Sequence, residues 1–147
     1  MEVAATPLEQ RLARLVVKNE VGLGGLASAD QALAFALVWR VLPAGTTHSE
    51  PGINAQLKAA LSGAAAWLDV DHVELRRWLV DSGWLWRDGW GREYRRVEPE
   101  GLTAEQGELA AALQALDAEA WVAGQRRRHQ AAREQRRRLH AHGGQAA

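Results

Sequence analysis

The sequence predicts a mainly α-helical protein whose centre is a winged helix-turn-helix, a unit of three helices followed by a β-hairpin wing. Two observations predict this class. The stretch 71–97 contains a helical pattern, a glycine and two β-prone runs around a turn, and two helical segments precede it. We divide the 147-residue chain into three parts: an N-terminal helix with a glycine-rich hinge (1–27), the winged-helix-like domain (28–98), and a long C-terminal helix with an arginine-rich tail (99–147).

The first helix is predicted from its capping residues. Thr6 suits the N-cap, Pro7 suits the first helical position, and Glu9 completes a capping box. The helix is expected to end near Asn19, before the glycine-rich residues 21–26. Because the preceding residues have helical rather than strand periodicity, we interpret this segment as a hinge and not as a phosphate-binding loop.

Two helices are predicted before the central stretch. Ser28 opens a capping box, which predicts a helix to about Leu42, where Pro43 stops it. Ser49 is the expected N-cap of the next helix. Asn54 lies on that helix near core positions, and a hydrogen bond between helices is favoured for it over contact with a ligand.

The central helix is predicted to begin after the N-cap Asp71. Its core side follows a spacing of three and four residues: Leu75, Trp78, Leu79 and Ser82. Arg76 and Arg77 lie away from this side and are candidate nucleic-acid contacts. Glu74 and Asp81 lie there too, and their charges would repel phosphate or pair with the arginines. This helix is therefore a weaker candidate for DNA contact than the hairpin that follows.

A β-hairpin is predicted after Gly83, which is expected to adopt a positive φ. The candidate nucleic-acid contacts on it are an exposed tryptophan and four arginines: Arg87, Trp90, Arg92, Arg95 and Arg96. Interleaved arginine and aromatic side chains suit nucleic acid, because they neutralise phosphates and stack on bases. The alternative is cross-strand packing with solvated arginines. For Trp90, at the glycine-flanked tip, an interaction is favoured.

Thr103 opens another capping box and predicts a long C-terminal helix that Gly124 interrupts. One face of this helix carries an apolar stripe: Leu109, Leu113, Leu116 and Trp121. Such a stripe needs a partner surface, and the helical run is too long for so small a body to cover. The sequence therefore predicts a homodimer through these four residues.

Charge is distributed unevenly along a chain whose net charge is zero. Residues 1–124 carry 11 basic and 17 acidic side chains, a balance of −6, whereas residues 125–147 carry seven arginines and one glutamate, a balance of +6. The tail arginines are further candidate nucleic-acid contacts: Arg126, Arg127, Arg128, Arg133, Arg136, Arg137 and Arg138. The alternatives are a solvated helix end and docking on the acidic body.

Composition excludes several classes of protein. No cysteine is present, so the chain has neither disulfides nor thiolate metal sites. No secretory signal and no membrane-length apolar run is recognised, and we expect a cytoplasmic protein that does not enter membranes. The sequence shows no nucleophile-elbow motif and no convincing arrangement of metal ligands. We predict no catalytic residues, no metal and no cofactor.

Three ordered motifs resemble a known family. They are Ser49, Glu50, Ile53, Asn54 and Leu57; then Asp71, Leu75, Arg76, Arg77, Leu79 and Val80; then Gly83, Leu85, Arg87, Tyr94 and Arg95. Over about residues 37–97 the chain resembles the bacterial domain-of-unknown-function family 2087. Trp78 and His48 depart from its pattern. Members of this family are often fused to ArsR-type regulators, so the resemblance implies a transcription-linked role and no known chemistry.

These observations favour a non-enzymatic winged-helix protein that takes part in DNA binding or transcription-linked regulation. The hairpin arginines and the basic tail would provide the electrostatic contacts, and DNA is the expected partner. The alternative is a protein-interaction or dimerisation module that binds no nucleic acid. Such a module would present Trp90 and the C-terminal helix to a protein partner.

Overall fold

A computed structural model describes residues 5–145 of the chain, with side chains described through residue 142. The protein is mainly helical, as predicted, and carries a small antiparallel sheet. Its α-helices are α1 (Pro7–Val16), α2 (Ser28–Val41), α3 (Glu50–Ser62), α4 (His72–Asp81), α5 (Ala104–Gln114) and α6 (Ala118–Gln145). Within residues 5–145, none of the helices has the length and apolar character needed to cross a membrane.

The sheet has three short strands, β1 (Thr47–His48), β2 (Leu85–Arg87) and β3 (Tyr94–Arg96), in the order β1-β3-β2. Arg95 of the central strand lies opposite Thr47 on one side and Trp86 on the other. The predicted hairpin is therefore confirmed as β2 and β3. The sequence analysis missed β1, which joins the segment between α2 and α3 to the hairpin.

One hydrophobic core joins all three predicted parts of the chain. Its centre is α2, in which every residue from Leu33 to Trp39 is buried. Helix α2 packs against α1, α3, α5 and α6. Because an all-round apolar helix must be covered on all sides, the N-terminal and C-terminal helices complete the same core as the central segment.

Helix starts follow the predicted capping residues at four positions. Thr6, Ser49 and Asp71 each accept a hydrogen bond from the backbone N–H three residues later, at 3.1, 3.1 and 2.8 Å. Thr103 forms the full capping box with Gln106. These bonds satisfy N–H groups that have no partner within the helix, which fixes where the helices begin.

The predicted capping box at Ser28 is wrong. The backbone N–H groups of Asp30 and Gln31 both donate to the carbonyl of Ala27, so the helix begins one residue earlier and Ser28 makes no capping bond. The Gln31 side chain instead donates to the carbonyl of Leu23, 2.8 Å away. This bond attaches α2 to the glycine-rich segment.

The glycine-rich segment contains a 3₁₀ turn at Leu23–Gly25, and α1 ends at Val16 rather than near Asn19. Val21 forms an isolated parallel bridge with Leu68, and Leu23 is buried. The chain after α3 forms a series of turns. The bridge therefore connects the two non-helical segments to each other.

Gly83 connects α4 to β2 with φ = +84°, as predicted. This conformation is readily available to glycine and costs other residues energy, because it brings a Cβ close to the backbone carbonyl. The next residue, Trp84, donates its backbone N–H to Leu79, 3.0 Å away, and is buried. The chain turns out of α4 here and begins the hairpin.

The C-terminal region forms two helices rather than one long helix. Helix α5 ends at Gln114, and α6 begins after Asp117, whereas Gly124 lies within α6 and does not interrupt it. The guanidinium of Arg40, on α2, donates to the carbonyls of Leu113 and Leu116 at 3.0 Å each. The Leu113 carbonyl also accepts from the backbone N–H of Leu116, 3.1 Å away, so the two Arg40 bonds attach the turn between α5 and α6 to α2.

Candidate nucleic-acid interface

The C-terminal half of α6 is a solvent-exposed basic helix. Six of the predicted tail arginines are exposed: Arg127, Arg128, Arg133, Arg136, Arg137 and Arg138. Among residues 5–145, ion pairs within 4 Å join Arg11 to Asp30, Arg76 to Glu50 and Arg96 to Glu98, and none includes these six side chains. None of the six therefore lies within ion-pairing distance of a described acidic side chain of the body.

Helical spacing places part of this charge on one face. Arg133 and Arg137 are 7 and 11 residues after Arg126, so all three return to the same side of the helix. Their side chains line a cleft of about 280 Å³ between the end of α1 and α6, together with His129 and Glu134. Helix α6 has 28 residues, which corresponds to a length of about 42 Å. The basic face itself runs from Arg126 to Arg137, about 17 Å of that length, and suits a polyanion.

Arg126 differs from the other tail arginines because its guanidinium is committed to the fold. It donates to the carbonyls of Val16 and Lys18 at 2.9 Å each, and to the side-chain oxygen of Asn19 at 2.6 Å. Cations commonly stabilise helix C-termini in this way. Arg126 therefore attaches α6 to the end of α1, and the exposed arginines begin after it.

The hairpin presents its turn and most of its arginines to solvent. Trp90 at the tip is 83% exposed, and Arg87 and Arg92 are exposed beside it. Asp88 organises the turn, since its carboxylate accepts from the backbone N–H groups of Arg92 and Glu93 at 2.8 and 3.1 Å. The N–H of Glu93, and less strongly that of Arg92, hold the pKa of Asp88 below its ordinary value. The tip is thus an ordered turn that projects an indole.

Arg95 and Trp86 face each other across the hairpin strands. The Arg95 guanidinium lies 4.2 Å from the centre of the Trp86 ring, and both side chains are exposed. This cation–π contact holds the two side chains together on the solvated face of the sheet. The predicted arginine–aromatic interleaving is therefore present at this pair.

Arg96 was expected among the exposed hairpin arginines, and this placement is wrong. The residue is only 7% exposed, and its guanidinium lies 4.0 Å from the Trp39 ring centre. It donates to the carbonyls of Trp39 and Leu42 and forms an ion pair with Glu98 at 2.9 Å. Hydrogen bonding from Arg96 lowers the pKa of Glu98. Because its donors are engaged inside the protein, Arg96 is not available to a phosphate.

The two arginines of α4 occupy different environments. Arg77 is exposed, on the same helix face as Glu74 and Asp81. Arg76 is half-buried, and its Nη1 donates to Asn54 at 2.6 Å and to Glu50 at 3.4 Å. Asn54 therefore forms a hydrogen bond between α3 and α4, as predicted from the sequence, and its partner is the side chain of Arg76. The contact between Glu50 and Arg76 was not predicted, although Glu50 and Asn54 belong to the same sequence motif and both accept from Arg76.

The predicted dimerisation stripe is covered by its own chain. Leu113 is fully buried, and Leu109, Leu116 and Trp121 are partly buried against the same core. Because α5 turns back onto α2, the body does cover this stripe. The reason for expecting a homodimer, an uncovered apolar stripe, is therefore wrong.

No group of three or more His, Asp and Glu side chains in the described part of the chain is placed to hold a metal ion. No curated protein and no solved structure matches the chain significantly. A family model matches residues 27–96, ten residues further towards the N-terminus than the motifs indicated. This stretch, from the start of α2 to the end of β3, is similar to the family described as an uncharacterized protein conserved in bacteria (DUF2087).

Proposed function

We propose that this protein binds duplex DNA in a non-enzymatic role linked to transcription, and that the exposed arginines of α6 supply most of the affinity. The observation that carries the proposal is the set of six arginines after Arg126, which are exposed and form no ion pair among the described residues. Side chains of this kind release counterions from DNA when they contact phosphates, which favours binding at low salt.

We further propose that α2, α3, α4 and the β2–β3 hairpin form a winged helix-turn-helix. The support for this proposal is the element order: three helices, a strand between the first two, and a terminal hairpin that pairs with that strand. In this arrangement α4 would be the recognition helix and the hairpin would be the wing.

The hairpin supplies the second contact in this proposal. Arg87 and Arg92 would contact phosphates, and Trp90 would insert into a groove or stack on an unpaired base. Arg95 would contribute together with Trp86, on which it is stacked. Arg96 and Arg126 have no part in binding, because both are engaged within the fold.

The test compares two charge variants that each remove three cations from exposed positions. One variant carries Gln at three positions of α6: Arg133, Arg136 and Arg137. The matched variant carries Gln at three positions on and just after α1: Arg11, Arg14 and Lys18. Affinity for a fluorescently labelled duplex is measured by anisotropy at one low salt concentration.

The α6 variant is expected to bind at least tenfold more weakly than the parent, and the matched variant to bind within about threefold of it. Equal losses in the two variants would mean that only net charge matters and would contradict the assignment to α6. Trp90→Ala is expected to weaken binding without changing stability, because the indole is exposed.

A second candidate function is a protein contact through α4, and it is favoured by the outward face of that helix. Val73 is 40% exposed there and is flanked by Glu74, Arg77 and Asp81. An apolar residue among charges of both signs suits a protein surface better than a DNA groove. The predicted homodimer stays a prediction, and sedimentation velocity at tens of micromolar would test it.

A further inference from the structure

A cleft of about 410 Å³ lies between α4 and the turn of the hairpin. Three arginines, a tyrosine, two valines and two carboxylates line it. The volume lies within the range of small-molecule sites. The cleft is distinct from the basic face of α6, although Arg87 at its opening is also a phosphate contact in the proposed function.

Arg76 is held in place with part of its guanidinium free. Its Nη1 donates to Asn54 and Glu50, and the guanidinium lies 5.2 Å from the centre of the Tyr94 ring. The Nε and Nη2 groups donate to no acceptor among the described residues. This edge is the one that binds carboxylate and phosphoryl oxygens with two parallel hydrogen bonds. The fold therefore presents an ordered oxyanion donor at the cleft.

Tyr94 supplies a second polar group. The residue is only 2% exposed, and its hydroxyl has no hydrogen-bond partner in the described part of the chain. Every fully buried side-chain nitrogen or oxygen there does have a partner, so the hydroxyl must remain open to solvent space. It lies beneath the turn, 3.6 Å from where a Cβ would stand on Gly91. Tyr94 thus lines the cleft and carries a hydroxyl whose donor is unused within the described residues.

The remaining lining defines the class of ligand. Arg77 and Arg87 are exposed and form no ion pair among the described residues, which adds two cations to Arg76. Two carboxylates also face the cleft: Asp88 is engaged by the backbone of the turn, whereas Asp81 at the rim has no ion-pair partner within the described residues. Val73 and Val80 supply an apolar wall.

We propose that this cleft binds a small organic oxyanion, a phosphoryl or carboxylate group carried on a compact apolar body. The anion lies against the free edge of Arg76 and the hydroxyl of Tyr94, with Arg77 and Arg87 at the opening. The apolar body lies against Val73 and Val80. Glu50 and Asn54 are positioning residues, because they act through the Nη1 atom of Arg76.

The experiment is isothermal titration calorimetry on the full chain at constant ionic strength, with phenyl phosphate and benzoate as probes. Benzyl alcohol and benzylamine are the neutral and cationic controls, and inorganic phosphate tests the apolar wall. We expect both aromatic anions to bind, phenyl phosphate to bind more tightly than inorganic phosphate, and the two controls not to bind. Equal binding of the neutral control would overturn the proposal.

Three single variants locate the binding. Tyr94→Phe removes only the hydroxyl and is expected to weaken phenyl phosphate binding by about 3- to 10-fold, the range of one hydrogen bond. Asp81→Asn removes a repulsive charge and is expected to strengthen it. Arg76→Lys loses the two-point contact and is expected to weaken it by tenfold or more. Arg14→Gln, at an exposed position of α1, is the control and should leave phenyl phosphate binding unchanged.

Should Arg76→Lys disturb folding, Tyr94→Phe and Asp81→Asn still decide the matter, because both substitutions are nearly isosteric. Phenyl phosphate binding that is insensitive to both would overturn the proposal. Duplex affinity is expected to be unchanged in Tyr94→Phe, so this test is independent of the DNA-binding proposal. Loss of both duplex affinity and phenyl phosphate affinity in Tyr94→Phe would show that the cleft holds a backbone phosphate of the duplex instead.

Discussion

Arg96→Met tests whether the buried guanidinium stabilises the fold. Methionine keeps the apolar contact with the Trp39 ring and removes every hydrogen bond that the guanidinium makes. The carbonyl of Trp39 retains a donor, the backbone N–H of Leu42, whereas the Leu42 carbonyl loses the guanidinium donor. A buried acceptor without a partner costs about 1–3 kcal/mol. The lost cation–π contact adds about 0.5–2 kcal/mol.

Glu98 also loses its ion-pair partner in this variant, but about a third of its side chain is exposed and can be hydrated. We therefore add no more than about 1 kcal/mol for it. Together these contributions predict a loss in the free energy of unfolding of about 1.5–6 kcal/mol, measured by urea denaturation with an unchanged m-value. The control is Arg95→Met, one residue away on the exposed face, with an expected loss of about 1 kcal/mol or less. Equal losses in the two variants would refute the reasoning.

Three further predictions concern the fold. Glu98→Gln should lower the free energy of unfolding at neutral pH. The pKa of Glu98 is lowered in the folded protein, so its carboxylate stabilises the fold only while it is ionised. The difference between the variant and the parent should therefore disappear as the pH falls through the folded pKa of Glu98. Gly83→Ala should cost about 1–2 kcal/mol in urea denaturation because φ is positive there, whereas Gly89→Ala, with open space around it, should cost less. Leu113→Ala should lower the free energy of unfolding by about 2–5 kcal/mol, and Leu139→Ala, at an exposed position, by almost nothing. A neutral result for Leu113→Ala would mean that α5 does not pack on the core as described.

Features fixed by neighbouring residues were predictable from the sequence. Thr6, Ser49 and Asp71 cap helices through bonds that span three residues, and Gly83 adopts the φ that a helix-to-strand junction requires. Such features depend on local chemistry, which the sequence displays directly. Ser28 shows the limit of this reasoning, because its capping pattern was overridden by the bond between Gln31 and Leu23.

Features that depend on distant contacts were not predictable. An arginine has a long apolar stem and a charged head, so it fits both an exposed strand face and a buried site against an aromatic ring. Sequence alone does not distinguish Arg95, which is exposed, from Arg96, which is buried. The leucine stripe likewise shows an apolar face but not what covers it. Strand β1 has two residues, too few to show a period.

The most direct test of the central claim is the salt dependence of duplex binding. The claim is that the exposed arginines of α6 contact phosphates. Anisotropy is measured between 50 and 200 mM salt for the full chain and for a variant with Gln at six positions: Arg127, Arg128, Arg133, Arg136, Arg137 and Arg138. Keeping Arg126 preserves the bonds to the end of α1.

Each phosphate contact contributes about −0.9 to the slope of log affinity against log salt concentration. We predict a steep slope for the parent and a slope closer to zero by about 0.9 for each contact that the variant loses. No binding by the parent at 50 mM salt, or the same slope for both proteins, would contradict the account.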